Sequence, residues 1–281
     1  MASPHLFSVT NKNILVTGSS RGIGLMIAKG FVEAGANVYL TSRDPKACQS
    51  AAETILGQTK CGSQRDLVGD VHHGPSNVSS REGCKALAEE VSKVFGGRLD
   101  VLVNNAGTSW GEPLERESGR ASSWGFDKVL DLNVKGLFYL TRECIDMLSA
   151  GEGAEDPGRV INIGSVAGIV PQEAPTHAYD VSKAAVHHLT KKMAADLAPK
   201  GITVNCLAPG FVPSRMSKGL ASWGGDAEKL AKAIPLKRMG NADDMVGASI
   251  YLSSRASSWV TGTVLVVDGG SSNLQLPLSS L

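Results

Sequence analysis

Charge of a dominant sign is missing from this sequence: 28 Lys and Arg stand against 27 Asp and Glu in 281 residues, a formal net charge of +1. Nucleic acids and anionic membranes are held by clustered Lys and Arg, so this balance gives no reason to expect either partner. No block of like charge is present. Long hydrophobic runs are missing too, the apolar stretches stopping short of the ~20 residues that cross a bilayer. Met1 to Asn11 holds no basic segment followed by an apolar one, and a cytoplasmic protein is the expectation. Cysteine is scarce. Cys48, Cys61, Cys84, Cys144 and Cys206 are an odd set without C-x-x-C spacing, which argues against a zinc site or a dithiol pair and for reduced, structural thiols. Glycine, by contrast, is plentiful at 32, dispersed among apolar residues that make up 42% of the chain. That pattern signals many tight turns in a folded chain rather than low complexity.

The apolar runs alternate in kind. Asn13–Thr17 is a short β-branched strand ending in Gly18, and Ile23, Ile27 and Phe31 return at helical spacing as far as Gly35. Asn37–Thr41 reads as a second strand, with Asp44 as N-cap and Pro45 at the first helical position. Ser79-x-x-Glu82 reads as a capping box opening a helix through Leu87, Val91 and Val94. Strands are then expected at Leu99–Val103, Val160–Ile163, Ile202–Cys206 and Val264–Val267, and helices over 123–149, 177–198 and 242–253. Strands that are apolar on both faces and alternate with helices describe a parallel sheet covered on both sides. The expectation is a single α/β domain over 1–281, doubly wound and Rossmann-like. Gly57 to Pro75 reads as an insertion, and 209–235, with Gly219, Gly224 and Gly225, as a mobile substrate flap.

Two ends of this pattern carry chemistry. Gly18-Ser-Ser-Arg-Gly22-Ile-Gly24 lies between the first strand and its helix, where missing Cβ atoms admit a pyrophosphate and the helix start offers unpaired N–H groups. Arg43, after the second strand, and Arg21, inside the glycine turn, suit the 2′-phosphate of NADP(H), because the planar guanidinium binds oxygen pairs. Asp44, about 20 residues past the last motif glycine, is the competing ribose acceptor that would indicate NAD(H). At the other end, Tyr179 and Lys183 stand four apart on one helix face, and Ser165 follows a strand at the carboxyl edge where parallel sheets gather ligands. A fixed cation beside a phenol stabilises its phenolate.

With Asn104-Asn105-Ala106-Gly107 after a strand, Asn133 in a helix, Pro209-Gly210 after another strand and Val267-Asp-Gly-Gly270 near the end, these motifs run in one order. In that order the chain resembles the short-chain dehydrogenases/reductases over nearly its whole length. The resemblance implies that Tyr179 is the general acid in ketone reduction, that Ser165 polarises the carbonyl oxygen, and that Lys183 binds the nicotinamide ribose and lowers the phenol pKa. Asn133 joins a proton relay from Lys183 through a water. Gly18, Ser20, Arg21, Gly22, Ile23, Gly24, Arg43, Asn105, Ala106, Gly107, Pro209, Gly210, Val212 and Ser214 line the cofactor together with Tyr179 and Lys183. The adenine contact is open between Asp70 and Asn77. Asn77 is preferred because Ser79 follows it closely, which leaves residues around Asp70 as extra loop. His72 and His73 read as solvated loop, not metal ligands, since adjacent side chains diverge and no third ligand has suitable spacing.

Within the family, 104–111, 160–168 and Pro213-Ser-Arg-Met216 look most like β-ketoacyl reductases, in particular the rhamnolipid-synthesis type. Trp110, Ile169 to Thr176, and Met216, Leu220 and Trp223 of the flap are expected to choose the substrate; these mostly apolar surfaces suit an acyl chain or fused rings equally. An NADPH-dependent carbonyl reductase acting on a 3-oxoacyl thioester is the first expectation. Oxidation of an alcohol or polyol with NAD(H), and a cofactor-sensing or scaffold role without turnover, are the alternatives. The resemblance also implies a homotetramer or homodimer.

Overall fold

A computed structural model describes residues 6–62, 68–115, 125–149, 155–214 and 227–273. The strands are β1 (Asn13–Thr17), β2 (Asn37–Ser42), β3 (Val71–Pro75), β4 (Val101–Asn104), β5 (Gly158–Ile163), β6 (Ile202–Pro209) and β7 (Val264–Val267). Among the described residues these seven form one sheet in the order β3-β2-β1-β4-β5-β6-β7, and every pairing is parallel. Chain order reverses direction across the sheet between β1 and β4, which opens a crevice at the carboxyl ends of the strands.

The two-residue period of a strand builds a core on each face. Ile14 and Val16 of β1 enter one core with Val38, Leu40, Ile161 and Leu207, and Leu15 enters the other with Leu102, Val160 and Val204. Helices α1 (Gly22–Glu33), α2 (Pro45–Gly62) and α9 (Ala242–Ser253) cover the first face through Ile27, Phe31, Ile55, Met245 and Leu252. Helices α3 (Arg81–Val94), α5 (Leu137–Glu143) and α7 (His177–Leu197) cover the second through Leu87, Val91, Leu140, Val186 and Met193. Each large apolar side chain fully buried in this way contributes about 1.5–3 kcal/mol. A buried polar ladder ties the second face together: Asn104 Nδ2 donates to Thr141 Oγ1 at 2.9 Å and to Asn162 Oδ1 at 3.0 Å. Asn162 Nδ2 in turn donates to Thr190 Oγ1 at 2.9 Å, so β4, β5, α5 and α7 share one network.

Several expected boundaries are corrected. Residues 71–75, expected as loop, are strand β3, in register with β2 from Val38↔Val71 to Ser42↔Pro75, and α2 runs through Gly57 to Gly62. β3 is an edge strand with one partner, so Val-His-His-Gly-Pro needs no continuous apolar run, and Pro75 sits at its end where no ladder donor is required. His72 packs edge-on against Phe95, with ring centroids 5.7 Å apart. The cap of α3 is Ser80, whose side chain accepts from Gly83 N–H, while Ser79 Oγ donates to Asn77 Oδ1.

The expected continuous helix over 123–149 is broken into α4 (Gly125–Leu130), a π-helical stretch over Asp131–Gly136, α5, and α6 (Ile145–Ser149). β6 extends three residues past Cys206 because Leu207, Ala208 and Pro209 pair with β7. Ala227–Ala233, expected as irregular chain, is helix α8. Met216, Leu220 and Trp223, with Gly219, Gly224 and Gly225, lie outside the described residues, as does Ser123 at the start of the expected helix.

Candidate active site

The crevice between β1 and β4 is a cleft of about 420 Å³ walled by the turns that follow β1 to β6. The turn after β1 is built for close approach. Gly18 has φ +63, which side-chain-bearing residues rarely adopt, and a Cβ on Gly24 would lie 2.4 Å from Asn105 Nδ2. Asn105 Nδ2 uses that space to donate to the carbonyls of Thr17 at 2.8 Å and Gly18 at 3.1 Å. Thr17 Oγ1 accepts from the N–H groups of Asn105 and Ala106, at 3.0 and 2.9 Å, and so locks the ends of β1 and β4 together. Ser19 turns inward to accept from Thr41 N–H at 3.0 Å, whereas Ser20 lines the cleft.

The first turn of α1 has neither a side-chain cap nor an acidic residue. Its N-terminal N–H groups and positive dipole end face the cleft, the ordinary basis of phosphate binding at a helix start. Arg21, Gly22, Ile23, Arg43 and Asp44 line the same end. Both arginines are exposed, and neither has an ion-pair partner among the described residues. The Asp44 carboxylate caps α2, accepting from Lys46 and Ala47 N–H at 2.9 and 3.3 Å. Asn77 also lines the cleft. Asp70 precedes β3, where its carbonyl accepts from Val38 N–H at 2.8 Å, at the opposite end of that strand.

Ala106, Gly107, Ser165, Tyr179, Lys183, Pro209, Gly210, Val212 and Ser214 line the remainder. Ser165 follows β5 in extended backbone, its Oγ accepting from Ala167 N–H at 3.1 Å, and its hydroxyl acts on the Tyr179 phenol across the cleft wall. One turn along α7, Lys183 Nζ stands 5.5 Å from the centre of the Tyr179 ring and donates to Ile163 O at 2.6 Å. Asn133, 3% exposed, lies behind this wall in the π-helical stretch, a form that often marks functional positions. Its Nδ2 donates to Thr108 O at 2.9 Å and Ser182 Oγ at 3.0 Å, and its Oδ1 accepts from Thr108 N–H at 2.9 Å. The side chain that Asn133 meets on α7 is therefore Ser182, the neighbour of Lys183.

Electrostatically the site departs from the expectation that the lysine lowers the phenol pKa. Burial raises the Tyr179 pKa above its ordinary value, the Ser165 hydroxyl opposing this and the Asp180 carboxylate adding to it. Burial also pulls Lys183 down to about 8. Desolvation thus favours the neutral form of both groups, and the phenol keeps its proton near neutrality. Behind them His187, on the next turn of α7, accepts from Ser165 N–H at 3.5 Å and is lowered to about 4 by burial and by Lys183.

Further cleft-lining residues went unassigned in the sequence motifs: Ser42, Ala47, Ser76 and Phe211. Each lies close to a motif residue at the end of a strand or the start of a helix, and that adjacency is the signal that could have found them. Gln172 and Thr176 also line the cleft and fall within the stretch expected to choose the substrate. Trp110 stacks over the start of α4, where a Cβ on Gly125 would lie 2.3 Å from its ring.

Comparison with known proteins agrees with this geometry. Residues 18–272 match the family described as Enoyl-(Acyl carrier protein) reductase. The rhamnolipids biosynthesis 3-oxoacyl-[acyl-carrier-protein] reductase of Pseudomonas aeruginosa is 41% identical over 264 residues, 94% of this chain and 97% of that protein. The gluconate 5-dehydrogenase of Gluconobacter oxydans is 36% identical, covering 96% of this chain and 98% of that protein. A solved structure described as the Pseudomonas aeruginosa RhlG/NADP active-site complex superposes with a TM-score of 0.85 at 39% identity, over 96% of this chain and all of that one. On fold, motif order and these likenesses together, the chain belongs to the short-chain dehydrogenase/reductase family of NAD(P)-dependent oxidoreductases.

Proposed function

We propose that the protein is an NADPH-dependent carbonyl reductase, with 3-oxoacyl thioesters as its substrate class. The single observation that carries this is the convergence of Ser165, Tyr179 and Lys183 in the same cleft as the glycine turn and the two exposed arginines. The relatives support both halves: one is a 3-oxoacyl reductase and one solved neighbour is an NADP complex.

The cleft fits the nucleotide. The uncapped start of α1 and the Gly18-to-Gly24 turn hold the pyrophosphate, Arg21 and Arg43 hold a 2′-phosphate, and Asn77 holds the adenine. Gly107, Pro209, Gly210, Val212 and Ser214 complete the wall toward the nicotinamide end. When bound, NADPH supplies the hydride for the carbonyl carbon. Ser165 orients and polarises the carbonyl oxygen, and the developing alkoxide takes the proton that Tyr179 holds on its phenol oxygen. Lys183, fastened to Ile163, fixes the spacing of this pair and binds the nicotinamide ribose. Asn133, through Ser182, holds the same turn of α7 and joins the relay that returns a proton to Tyr179.

The reading takes the whole chain as one dinucleotide-binding domain. It places the protein in the cytoplasm as a homodimer or homotetramer, a state that sedimentation tests; no helix among the described residues is long and apolar enough to cross a membrane. Likeness to gluconate 5-dehydrogenases favours a second reading, oxidation of a polyol. A substrate panel decides: with NADPH and NADH followed in parallel, the proposal expects consumption of NADPH with acetoacetyl-CoA. Turnover confined to gluconate, or to NADH, would overturn it.

A further inference from the structure

Asp180 follows Tyr179 in the first turn of α7 and does not itself line the cleft. Both its carboxylate oxygens are taken by the segment that leads into the helix. Thr176 Oγ1 donates to Oδ1 at 2.9 Å, and Gln172 N–H donates to Oδ2 at 3.0 Å. The return bond from Asp180 N–H to Thr176 O, at 3.0 Å, closes the clasp. Gln172 is held further by its Nε2 donating to Val170 O at 2.9 Å, and Pro175 O accepts from Glu112 N–H at 2.9 Å. Gln172 and Thr176 both line the cleft with Tyr179, so a residue outside the wall fixes two inside it.

One local departure shows what this arrangement displaces. Thr176 is the N-cap of α7, a position where a threonine hydroxyl ordinarily accepts from the helix's own first N–H groups. Here it makes no such cap, and its hydroxyl donates to Asp180 instead. A bond to an ionised carboxylate is roughly twice as strong as a neutral one, and an anion in the first turn also meets the positive end of the helix dipole.

We propose that Asp180 is a positioning residue whose carboxylate fixes Gln172 and Thr176 as the wall beside Tyr179, and so sets how tightly the carbonyl substrate, rather than the nucleotide, is held. The inference rests on Tyr179 being the proton donor of a carbonyl reductase. The same carboxylate acts on the phenol in the direction that keeps its proton, which suits reduction.

The test uses Asp180→Ala and Asp180→Asn in the full chain, with amide hydrogen exchange and with NADPH and acetoacetyl-CoA as probes. Asn retains an oxygen for Thr176 but presents no second acceptor to Gln172 N–H. In the alanine variant, exchange over 170–175 accelerates about tenfold and KM for acetoacetyl-CoA rises about tenfold, with Kd for NADPH within about twofold and exchange over 186–197 unchanged. The asparagine variant falls between. Unchanged exchange over 170–175, an unchanged KM, or NADPH affinity lost in step with KM would overturn the proposal. Wild-type protein that binds NADPH yet reduces no acetoacetyl-CoA would sink the function proposed above, and the exchange measurement would still decide the clasp.

Discussion

Lys183 Nζ donates to the carbonyl of Ile163 at 2.6 Å, fastening the second turn of α7 to the last residue of β5, two positions before Ser165. Tyr179 lies one turn earlier on the same helix. The bond therefore sets the separation of the phenol from Ser165 across the cleft wall, and it holds an ammonium that burial would otherwise disfavour.

Replacing Lys183 by Met keeps most of the side-chain volume and removes both the charge and the bond. Turnover is expected to fall at least about 100-fold, the scale of a positioned proton-transfer group, and NADPH affinity to fall with it. Steady-state kinetics and a fluorescence titration of NADPH measure the two. Unchanged values for both would remove Lys183 from its double role.

His187 gives the fold an acid-sensitive point. Its pKa is about 4 in the folded chain against 6.5 when unfolded, chiefly through burial and then through repulsion by Lys183, with the Gly168 carbonyl opposing. The unfolded chain binds the extra proton between those values. Stability is therefore fully present above about 6.5 and is lost as pH falls toward 4, by an amount on the order of a few kcal/mol. His187→Gln should flatten the denaturation midpoint across that window, and an equally steep loss in the variant would contradict the assignment.

Arg21 and Arg43 face the same end of the cleft without ion-pair partners among the described residues. Converting both to Ala should weaken NADPH binding by roughly 10- to 100-fold, as expected for two charge-assisted phosphate contacts, and leave NADH within about twofold. Calorimetric titration with each nucleotide checks this. Equal losses for both nucleotides would mean that the arginines do not read the 2′-phosphate.

Gly24→Ala places a methyl 2.4 Å from Asn105 Nδ2 and 2.6 Å from the Gly18 carbonyl. The clash breaks the link between the glycine turn and the end of β4. Nucleotide affinity should drop at least about tenfold, with a smaller loss of thermal stability. Retained affinity would show that the turn tolerates the displacement.

Where the sequence signals its structure, the cause is local. Asn13–Thr17 and Val264–Val267 are expected and observed with the same limits, since β-branched runs bounded by turn residues need little tertiary help. Val-His-His-Gly-Pro forms β3 because β2 offers it a ladder, which no periodicity within those five residues announces. The π-helical stretch around Asn133 looks the same in sequence as ordinary helix. The capping box of α9, formed by Asn241 and Asp244, is written in the sequence only as Asn-x-x-Asp, without the Ser or Thr and the Glu or Gln that mark such a box most plainly.

At the site, spacing and resemblance named the residues that meet in the cleft. They did not reveal that burial raises the phenol and lowers the lysine, because desolvation depends on what packs around both groups. The Asp180 clasp was equally hidden, since its partners lie four and eight residues back, the farther one beyond Pro175.

The central claim is that the proton delivered to the carbonyl oxygen comes from the phenol of Tyr179. Tyr179→Phe removes that proton and little else, so NADPH should bind within about twofold of wild type while single-turnover reduction of acetoacetyl-CoA falls at least about 100-fold. Undiminished reduction in the phenylalanine variant would contradict the account.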